Sequence, residues 1–537
     1  MNLRNLDSRN GLYVGAHRMS RPQIAVVGAG PGGLAVAVLL ASRGLDVTVY
    51  EAQPEIGGRT SRIELGEYKF DRGPTFFLMP HVLQEIFSAA GRDMNDYVDL
   101  VRLDPMYRLV IGQQDRSDIT IDATQDVEAM ARQLSNLHTE DGEAFASFVA
   151  HNRRKLNAAE PILRRPIRSF VDLIRTDAAK VLPVLKPTET VDSLSSKYFK
   201  HPASKIAVGF QSKYLGMSPY DCPSLFTILP YIEYEYGVWH PRGGCNALMQ
   251  ALADVLVELG GKIRTSMPVR SVRTERGAVV GLEFENEYVA CDHAVINADA
   301  TWACKNLFPE AARGKVTDES LDKKKYSCST FMMYLGVEGE VDLPHHTIRT
   351  APDYRGNLAD IGREEGWGGS LTDDPSFYVC NPSVTDSMLA PAGCSSLYVL
   401  LPTPNTRAPI DWQERSDACR SLLLERMRSV LGVDLAGRIR EELILTPNDW
   451  ASQNINFGAT FNLAHSLDQM LHKRPQHKVP FADGAWLVGG GTHPGSGLPV
   501  IFLSAQITAG LLLKALGVDT ARERVPTCDS SLAGAAS

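Results

Sequence analysis

The chain has 537 residues, which is long enough for two or more sizeable cores. Its content of 44% hydrophobic and 22% charged residues is typical of a globular protein and excludes a largely disordered chain. The formal net charge of −8 argues against nucleic acid as the main partner, because such a partner requires a basic face.

The chain carries few signals for targeting or cross-linking. No apolar run reaches the roughly 18–20 residues of a membrane-spanning helix, which predicts a protein that is soluble or lies on a membrane surface. The nine cysteines are scattered and form no CxxC pair, so neither a metal cluster nor a disulfide framework is predicted, and a reducing cytoplasmic compartment is favoured. We expect residues 1–21 to be a disordered leader and residues 518–537 a loose tail.

The first ordered segment predicts a βαβ unit. The apolar run Ile24–Gly28 is typical of a buried parallel strand. Leu34–Gly44 predicts a helix that ends at a glycine, and the alternating, β-branched Asp46–Glu51 predicts a second strand. These elements frame a glycine-rich turn.

That turn reads Gly28-Ala29-Gly30-Pro31-Gly32-Gly33, a dinucleotide-binding fingerprint. Gly28 permits the tight turn, Gly30 lets the backbone approach a pyrophosphate, and Gly33 lets the helix pack on the strand. Glu51 ends the second strand, where a carboxylate can accept hydrogen bonds from ribose hydroxyls and disfavours the 2′-phosphate of NADP. A chance glycine cluster would not combine strand, helix and acid in this order.

Two further glycine-rich stretches could contact the same ligand. Gly57 and Gly58 precede Arg59, a place where backbone and guanidinium can meet a phosphate. "LVGGGTHPGSGLP", Leu487–Pro499, leads into the last helix, whose N-terminus could face a ligand. Each alone could be an ordinary turn. Together they favour one large, buried dinucleotide, which indicates FAD rather than NAD.

These stretches resemble the FAD-dependent amine oxidase and carotenoid desaturase superfamily. "LVGGGTHPGSGLP" is most similar to the C-terminal signature of phytoene desaturases of the bacterial and fungal type. Supporting segments occur in the family's order at 214–244, 295–301, 381–405 and 454–462. The resemblance extends from about residue 22 to 517 and weakens near 120–200 and 340–375, where the substrate region is expected.

The resemblance implies an α/β fold with a discontinuous, Rossmann-like FAD-binding domain. An inserted, mixed α+β substrate domain and a helical, membrane-facing region complete the expected architecture. The predicted limits are 22–110, 241–305 and 441–517 for the FAD-binding domain, 111–240 for the helical substrate and membrane region, and 306–440 for the substrate domain.

The resemblance also assigns cofactor contacts to residues spread along the chain. At the adenosine end it implies that Gly28, Gly30 and Gly33 contact the pyrophosphate, that Glu51 binds the ribose and that the Val269 backbone holds the adenine. Gly58 and Arg59 would lie toward the flavin, and Asp299 would lie near the cofactor. Gly490 and the loop Thr492–Gly497 would lie beside the ribityl chain and the isoalloxazine ring. The helix that starts near Pro499 would point its N-terminus at the flavin.

The sequence offers fewer candidates for catalysis than for cofactor binding. His493 in the third glycine loop could take a proton or contact the cofactor, or it could hydrogen-bond the loop backbone instead. An aromatic stretch could line a polyene tunnel or stabilise a transient cation, or it could simply pack in a β-rich segment. Its members are Tyr231, Tyr234, Tyr236 and Trp239. The charge run Arg153-Arg154-Lys155 is interpreted as a solvated helix face.

The activity that the resemblance implies is FAD-dependent desaturation of a linear carotenoid precursor, either phytoene or the C30 analogue dehydrosqualene, with hydride transfer to flavin N5. Such a long isoprenoid would bind in an apolar tunnel, and oxygen or a quinone would reoxidise the flavin.

The segment 161–186 has six basic and two acidic residues among apolar ones. This predicts peripheral contact with membrane lipid, with an ordinary surface helix as the alternative.

Three other functions stay open at this point. A carotene or retinoid isomerase, a saturase or a carotenoid end-group oxidase would share every glycine site. A flavin amine oxidase is disfavoured, because such enzymes often carry a flavin-linking cysteine where this chain has Thr492-His493-Pro494. A non-enzymatic, pigment- or lipid-binding flavoprotein would hold a flavin that no substrate reduces.

Overall fold

A computed structural model describes residues 21–114, 116–169, 171–172, 188–362 and 373–518. The predicted leader (apart from residue 21), the tail beyond residue 518, and residue 170 and residues 173–186 of the basic segment lie outside these ranges. The strands of the described chain are β1 Gln23–Val27, β2 Asp46–Tyr50, β3 Arg62–Leu65, β4 Tyr68–Asp71, β5 Leu100–Arg102, β6 Tyr107–Ile111, β7 Ile119–Ala123, β8 Trp239–Pro241, β9 Lys262–Arg264, β10 Ser271–Glu275, β11 Ala278–Glu283, β12 Tyr288–Ala290, β13 His293–Ile296, β14 Ser329–Glu338, β15 His346–Thr350, β16 Phe377–Cys380, β17 Cys394–Thr403, β18 Ile439–Leu445 and β19 Ala485–Leu487.

The α-helices follow the same chain order. They are α1 Pro31–Ala41, α2 Pro80–Ala89, α3 Val127–Leu137, α4 Thr139–Leu163, α5 Val191–Tyr198, α6 Pro202–Ala207, α7 Ile228–Tyr236, α8 Asn246–Glu258, α9 Ala300–Leu307, α10 Asp318–Asp322, α11 Tyr354–Gly362, α12 Trp412–Leu431, α13 Pro447–Ser452 and α14 Leu498–Ala515.

The first sheet is five-stranded and entirely parallel, in the order β19-β13-β1-β2-β9. Its central strand β1 is buried along its apolar run, as the sequence predicts. Helices α1, α8 and α14 pack together on the sheet, and the small antiparallel sheet β10-β11-β12 adjoins β13. Strands from three distant parts of the chain thus build one nucleotide-binding sheet, which confirms the predicted discontinuous, Rossmann-like fold.

The second sheet is seven-stranded, in the order β18-β14-β17-β16-β15-β6-β7. All its neighbours are antiparallel except β15 and β6. One face packs against α12, where Trp412 stacks on Phe331. The other face turns toward β4, where Phe70 packs edge-on against Tyr334. Because β6 and β18 join this sheet, it reaches past the predicted domain limits at residues 110 and 440.

The aromatic stretch is a helix where the sequence analysis allowed for a β-rich segment. Residues Ile228–Tyr236 form α7, and only Trp239 lies in a strand. The helix ends at Gly237, which has φ +75°. Tyr231 and Tyr234 are buried, so packing of this helix against α4 outweighs the β-propensity of its aromatic residues.

The charge run on α4 is also only partly solvated. Arg153 donates hydrogen bonds to the Tyr231 hydroxyl at 3.0 Å and to Glu235. Lys155 is fully buried, and its Nζ donates to the Ser224 carbonyl at 2.8 Å. The interpretation of all three residues as a solvated face is therefore wrong for Lys155, because successive helical residues point about 100° apart and only part of a run can face solvent.

Helix α14 also corrects the prediction that no apolar segment is long enough to span a membrane. Helix α14 has 18 residues and is apolar enough by length and composition to cross one. More than half of it is buried, and it packs against α1 and α2. A mostly buried core helix can have the length and apolar composition of a membrane span.

Candidate functional site

The first glycine turn lies between β1 and α1. Gly28 has φ +96°, and a side chain there would place its Cβ 2.5 Å from the Asn297 carbonyl oxygen. A Cβ at Gly33 would overlap the Gly28 carbonyl oxygen. No side chain of the described chain caps the N-terminus of α1. The turn therefore presents bare backbone and uncapped N–H groups, as an anionic pyrophosphate requires.

Glu51, directly after β2, is bonded to this turn. It is 6% exposed, and its carboxylate accepts hydrogen bonds from the Ala29 N–H at 2.7 Å and the Gln53 N–H at 2.9 Å. Burial raises the pKa of Glu51, and the two backbone hydrogen bonds oppose that shift. The carboxylate thus fixes the turn against the strand end, and its remaining lone pairs can accept from a ribose hydroxyl.

The second glycine pair lies against the first turn. The Gly57 N–H donates to the Ala29 carbonyl at 2.9 Å. Gly58 has φ +55° and is exposed, and a Cβ there would lie 3.6 Å from Cα of Gly30. Two loops that are separate in sequence therefore form one backbone surface.

Arg59 extends this surface toward the other end of the chain. Its Nη1 donates to the Thr460 carbonyl at 2.9 Å and to Asn462 Oδ1 at 3.1 Å. Burial lowers the pKa of Arg59, while the negative charge of Asp299 raises it. Asn462 also lies against Gly490, where a Cβ would be 2.8 Å from its Nδ2. Arg59 is thereby connected to the third glycine loop.

Asn297 joins the first and third loops, and the sequence analysis missed it. It follows β13, which lies between β1 and β19. Its Nδ2 donates to the Gly28 carbonyl at 3.3 Å. Cβ atoms at Gly30 and Gly489 would each lie 2.9 Å from its side-chain amide. The sequence analysis used the segment 295–301 for the resemblance but selected only Asp299 from it.

Asp299 caps helix α9. Its Oδ1 accepts hydrogen bonds from the Thr301 N–H at 3.0 Å and the Trp302 N–H at 2.9 Å. The residue is 6% exposed, and its charge acts on both Arg59 and Arg474. Its observed contacts therefore position the site, and direct contact with the cofactor stays a prediction.

Arg474 is the second residue that the sequence analysis missed. It is 1% exposed, and its guanidinium donates to the carbonyls of Gly490 at 2.8 Å, Thr492 at 3.1 Å and Leu463 at 3.3 Å. None of the ion pairs found in the described chain includes it. Burial lowers the pKa of Arg474 to about 10, so it is charged at neutral pH. A buried positive charge therefore lies directly behind the third glycine loop.

His493 lies in the same loop and is 1% exposed. Its Nε2 lies 2.9 Å from the Arg165 carbonyl, while no described residue hydrogen-bonds its Nδ1. Burial lowers the pKa of His493 to about 4, so the ring is neutral at neutral pH and Nε2 donates the hydrogen bond. The contact is with main chain, as in the predicted alternative, but with the distant Arg165 rather than with the loop itself. A chemical role stays a prediction.

His465 supports this loop from another direction, and no sequence signal marked it. Its Nε2 accepts a hydrogen bond from the Ser496 N–H at 3.2 Å. A Cβ at Gly495 would lie 2.6 Å from that nitrogen. Gly497 follows with φ +104° and open space around it, and α14 begins at the next residue without a side-chain cap. The helix N-terminus can therefore face a ligand.

Val269 lies near the adenosine end of the predicted site. The Met267 N–H donates to the Glu51 carbonyl at 2.8 Å, and the Ser266 N–H donates to the Gln53 carbonyl at 3.0 Å. These bonds place the segment that leads to Val269 beside the strand end that carries Glu51. The backbone contact with adenine stays a prediction.

Comparison with known proteins identifies the family. The flavin containing amine oxidoreductase family matches residues 31–513. The chain belongs to this family. It is 41% identical over 492 residues to a 4,4′-diapophytoene desaturase (4,4′-diapolycopene-forming) of a Methylomonas species, covering 91% of this chain and 94% of that one. It is 37% identical over 505 residues to an all-trans-zeta-carotene desaturase of Myxococcus xanthus, covering 92% and 94%.

Solved structures agree on the fold. An oxidoreductase from Methanosarcina mazei superimposes with a TM-score of 0.61 at 16% identity, covering 90% of this chain and 98% of that one. Cyclohexylamine oxidase from Brevibacterium oxydans gives a TM-score of 0.56 at 15% identity, covering 93% and 100%. These likenesses concern the fold alone.

The residues of this chain fit the flavin cofactor of the family. Side chains at Gly28 and Gly490 would clash with neighbouring residues, whereas Gly58 and Gly497 leave open backbone. Two helix N-termini without side-chain caps and the buried cation of Arg474 supply positive potential for an anionic group. The protein is an FAD-dependent oxidoreductase, and the prediction of FAD over NAD is confirmed.

A buried carboxyl group lies away from the glycine loops, on α7. Glu233 is fully buried, and its Oε2 accepts hydrogen bonds from the Tyr107 hydroxyl at 3.0 Å and from Gln211 Nε2 at 3.1 Å. Burial raises the pKa of Glu233 to about 7, and these hydrogen bonds oppose the shift. Tyr214 and Tyr234 also face it. Of these residues, only Tyr234 is among the candidates predicted from the sequence.

Replacing Glu233 with glutamine should remove a pH dependence of stability. Because the folded pKa of about 7 exceeds the ordinary value of 4.5, the carboxyl stabilises the fold fully below about pH 4.5 and loses this contribution as the pH rises through 7. The lost contribution is about 3 kcal/mol. We expect the unfolding temperature of Glu233→Gln to decline less than the wild type's as the pH rises from about 4.5 to 7, as measured by thermal scans of the holoenzyme at several pH values in that window.

The matched control is Glu235→Gln, on the same helix but exposed and paired with Arg153. Its pH profile should follow the wild type. Identical profiles for all three proteins would contradict the shifted pKa of Glu233.

Proposed function

We propose that this enzyme desaturates a linear carotenoid precursor, either phytoene or its C30 analogue. The observation that carries the proposal is the identity with desaturases that are named for diapophytoene and zeta-carotene, which extends over nine-tenths of the chain. This length includes the inserted sheet and the helical region as well as the nucleotide-binding sheet.

The described residues suit such a substrate. A linear polyene has no polar group for recognition, so apolar and aromatic surfaces must hold it. Phe76 follows strand β4, and its ring packs among four other rings whose centroids lie 4.0–6.3 Å away. These are the rings of Tyr107, Tyr214, His346 and Tyr378. This aromatic cluster lies where the seven-stranded sheet and the helical region meet.

Bound FAD supplies a two-electron acceptor for the hydrogen removed from an allylic carbon. The three glycine loops, which Asn297 and Asn462 connect, would hold the cofactor. Arg474 places a positive charge behind the third loop, where it would stabilise negative charge on a bound flavin that has accepted electrons.

The proposal is tested by expressing the chain in cells that accumulate either phytoene or dehydrosqualene. We expect a new, longer-wavelength chromophore in pigment extracts from at least one host. A host that makes Gly510→Ala protein should produce the same pigment, because a Cβ at this helical position meets nothing within 4 Å. FAD-loaded protein without new pigment in either host would overturn the proposal.

We also propose that the enzyme works in the cytoplasm at the membrane surface and passes its electrons to oxygen or a quinone. The support is chemical, because a long hydrocarbon substrate partitions into a bilayer. Flotation of the holoenzyme with anionic vesicles should carry it to the lipid fraction, and a protein that stays behind at low salt would contradict membrane association.

A further inference from the structure

Three buried side chains that take no part in the cofactor site form a compact group on the seven-stranded sheet. They are His345, His346 and Cys380, and their nitrogen and sulfur ligand atoms all lie within 4.8 Å of one another. His346 on β15 is directly opposite Cys380 on β16 in the strand register, so the two side chains share a face of the sheet. All three residues are at most 4% exposed.

The two histidines have one nitrogen engaged and one without a partner. Nδ1 of His345 lies 2.9 Å from the Thr385 hydroxyl, and Nδ1 of His346 lies 2.7 Å from the Tyr378 hydroxyl. Both Nε2 atoms are buried and have no hydrogen-bond partner among the described residues. Metal-binding histidines show this pattern, in which the second ring nitrogen is held by an outer hydrogen-bonding group.

A buried carboxylate is connected to this group through His240. Asp386 is fully buried, and its carboxylate lies 3.1 Å from Nε2 of His240, whose ring is 4.7 Å from that of His345. Among the ion pairs of the described chain, Asp386 has no lysine or arginine partner.

We propose that His345, His346 and Cys380 bind one divalent transition-metal ion. Two imidazole nitrogens and one thiolate match Zn²⁺, and they leave one position of a tetrahedral site open. Binding forms the metal–sulfur bond and releases the thiol proton to solvent, with no change of oxidation state. The ion takes no part in the redox step of the proposed desaturation, and it adds a cross-link between β15 and β16.

The position of the site suggests what the ion does. The ring of Phe76 stacks on His346, with centroids 4.0 Å apart and an interplanar angle of 12°. The ion would fix the orientation of the His346 ring and, through it, that of Phe76 in the aromatic cluster. Its role is therefore to position Phe76, on the substrate side of the fold.

The test uses the FAD-loaded protein purified from cells grown with added zinc. Elemental analysis should find about one zinc per chain, and X-ray absorption should show one sulfur at about 2.3 Å and nitrogens at about 2.0 Å. Cys380→Ser should lose the zinc, whereas Cys419→Ser should keep it, because Cys419 is a buried cysteine in a different core.

A second variant guards against misfolding of Cys380→Ser. His346→Asn removes the free Nε2 and keeps a polar atom near the Tyr378 hydroxyl, so it should retain FAD and lose zinc. Zinc-free wild-type protein with full FAD content would overturn the proposal, as would zinc that persists in Cys380→Ser or His346→Asn. Since FAD content and pigment formation are measured separately, failure of this site is distinguishable from failure of the proposed function.

Discussion

Replacing Gly33 with alanine is expected to yield a protein that accumulates but holds less than about a tenth of the wild type's FAD, which corresponds to about 1.4 kcal/mol or more of lost binding. The added Cβ would overlap the Gly28 carbonyl oxygen and lie 3.1 Å from the Asn297 side chain. One neighbour is the backbone of the turn and the other is the side chain that connects the turn to β13, so the turn must open and the uncapped N–H groups of α1 lose their alignment. Absorbance of flavin released by denaturation, per chain, measures the effect.

Gly510→Ala is the matched control for this change. It makes the same glycine-to-alanine substitution in α14, which packs on the same sheet, and the added Cβ would have no neighbouring atom within 4 Å. We expect full FAD content and a gain in stability of about 0.5–1 kcal/mol. Full FAD content in Gly33→Ala as well would contradict the assignment of the first turn.

Replacing Arg474 with methionine is expected to abolish FAD retention and lower the unfolding temperature. The guanidinium is the hydrogen-bond donor for buried carbonyls of Gly490, Thr492 and Leu463. Each buried carbonyl left without a donor costs about 1–3 kcal/mol. Loss of the charge also removes positive potential behind the third glycine loop. Released flavin and thermal unfolding of the purified protein measure the two effects.

Arg438→Met provides the matched control. Arg438 also donates hydrogen bonds to three main-chain carbonyls, those of Glu338, Glu340 and Asp434, but at the surface. We expect FAD content to remain at the wild-type level and stability to change little, because water can replace these bonds. Arg474→Lys keeps the charge without the fork of donors and should retain some flavin, whereas Arg474→Met should retain none. Equal behaviour of Arg474→Met and Arg438→Met would contradict the role of Arg474.

The glycine loops were predictable because their signals are local. A strand, a turn at Gly28 with positive φ, a helix and Glu51 occur within one βαβ unit, and their physical roles follow from backbone geometry. The final helix and its loop were predictable for the same reason. The cofactor follows from these local signals together, and the fold class follows from the family resemblance that they carry.

Asn297 and Arg474 could not be found in this way. Asn297 matters because β13 lies between β1 and β19, which is a fact of sheet order. Arg474 lies in an irregular segment, and only the folded chain shows that its guanidinium meets the carbonyl of Gly490. Neither Asn297 nor Arg474 belongs to a local sequence motif that would mark it as a site residue.

The remaining differences also arise from tertiary packing. Helix α7 forms where aromatic residues allowed for a β-rich segment, because Tyr231 and Tyr234 bury their rings against the helical region. Lys155 is buried because it lies on the face of α4 that packs against the segment of Ser224. His493 contacts the Arg165 carbonyl, whose proximity no local spacing could predict.

The central claim is that this flavoprotein removes hydrogen from a linear carotenoid precursor. The most direct test adds detergent-dispersed phytoene, and separately dehydrosqualene, to the oxidised holoenzyme without oxygen and records the flavin spectrum. We predict that one of them bleaches the oxidised flavin absorbance while a polyene with one more double bond forms in equal amount. An unchanged flavin spectrum with both substrates, in a protein that dithionite readily reduces, would contradict it.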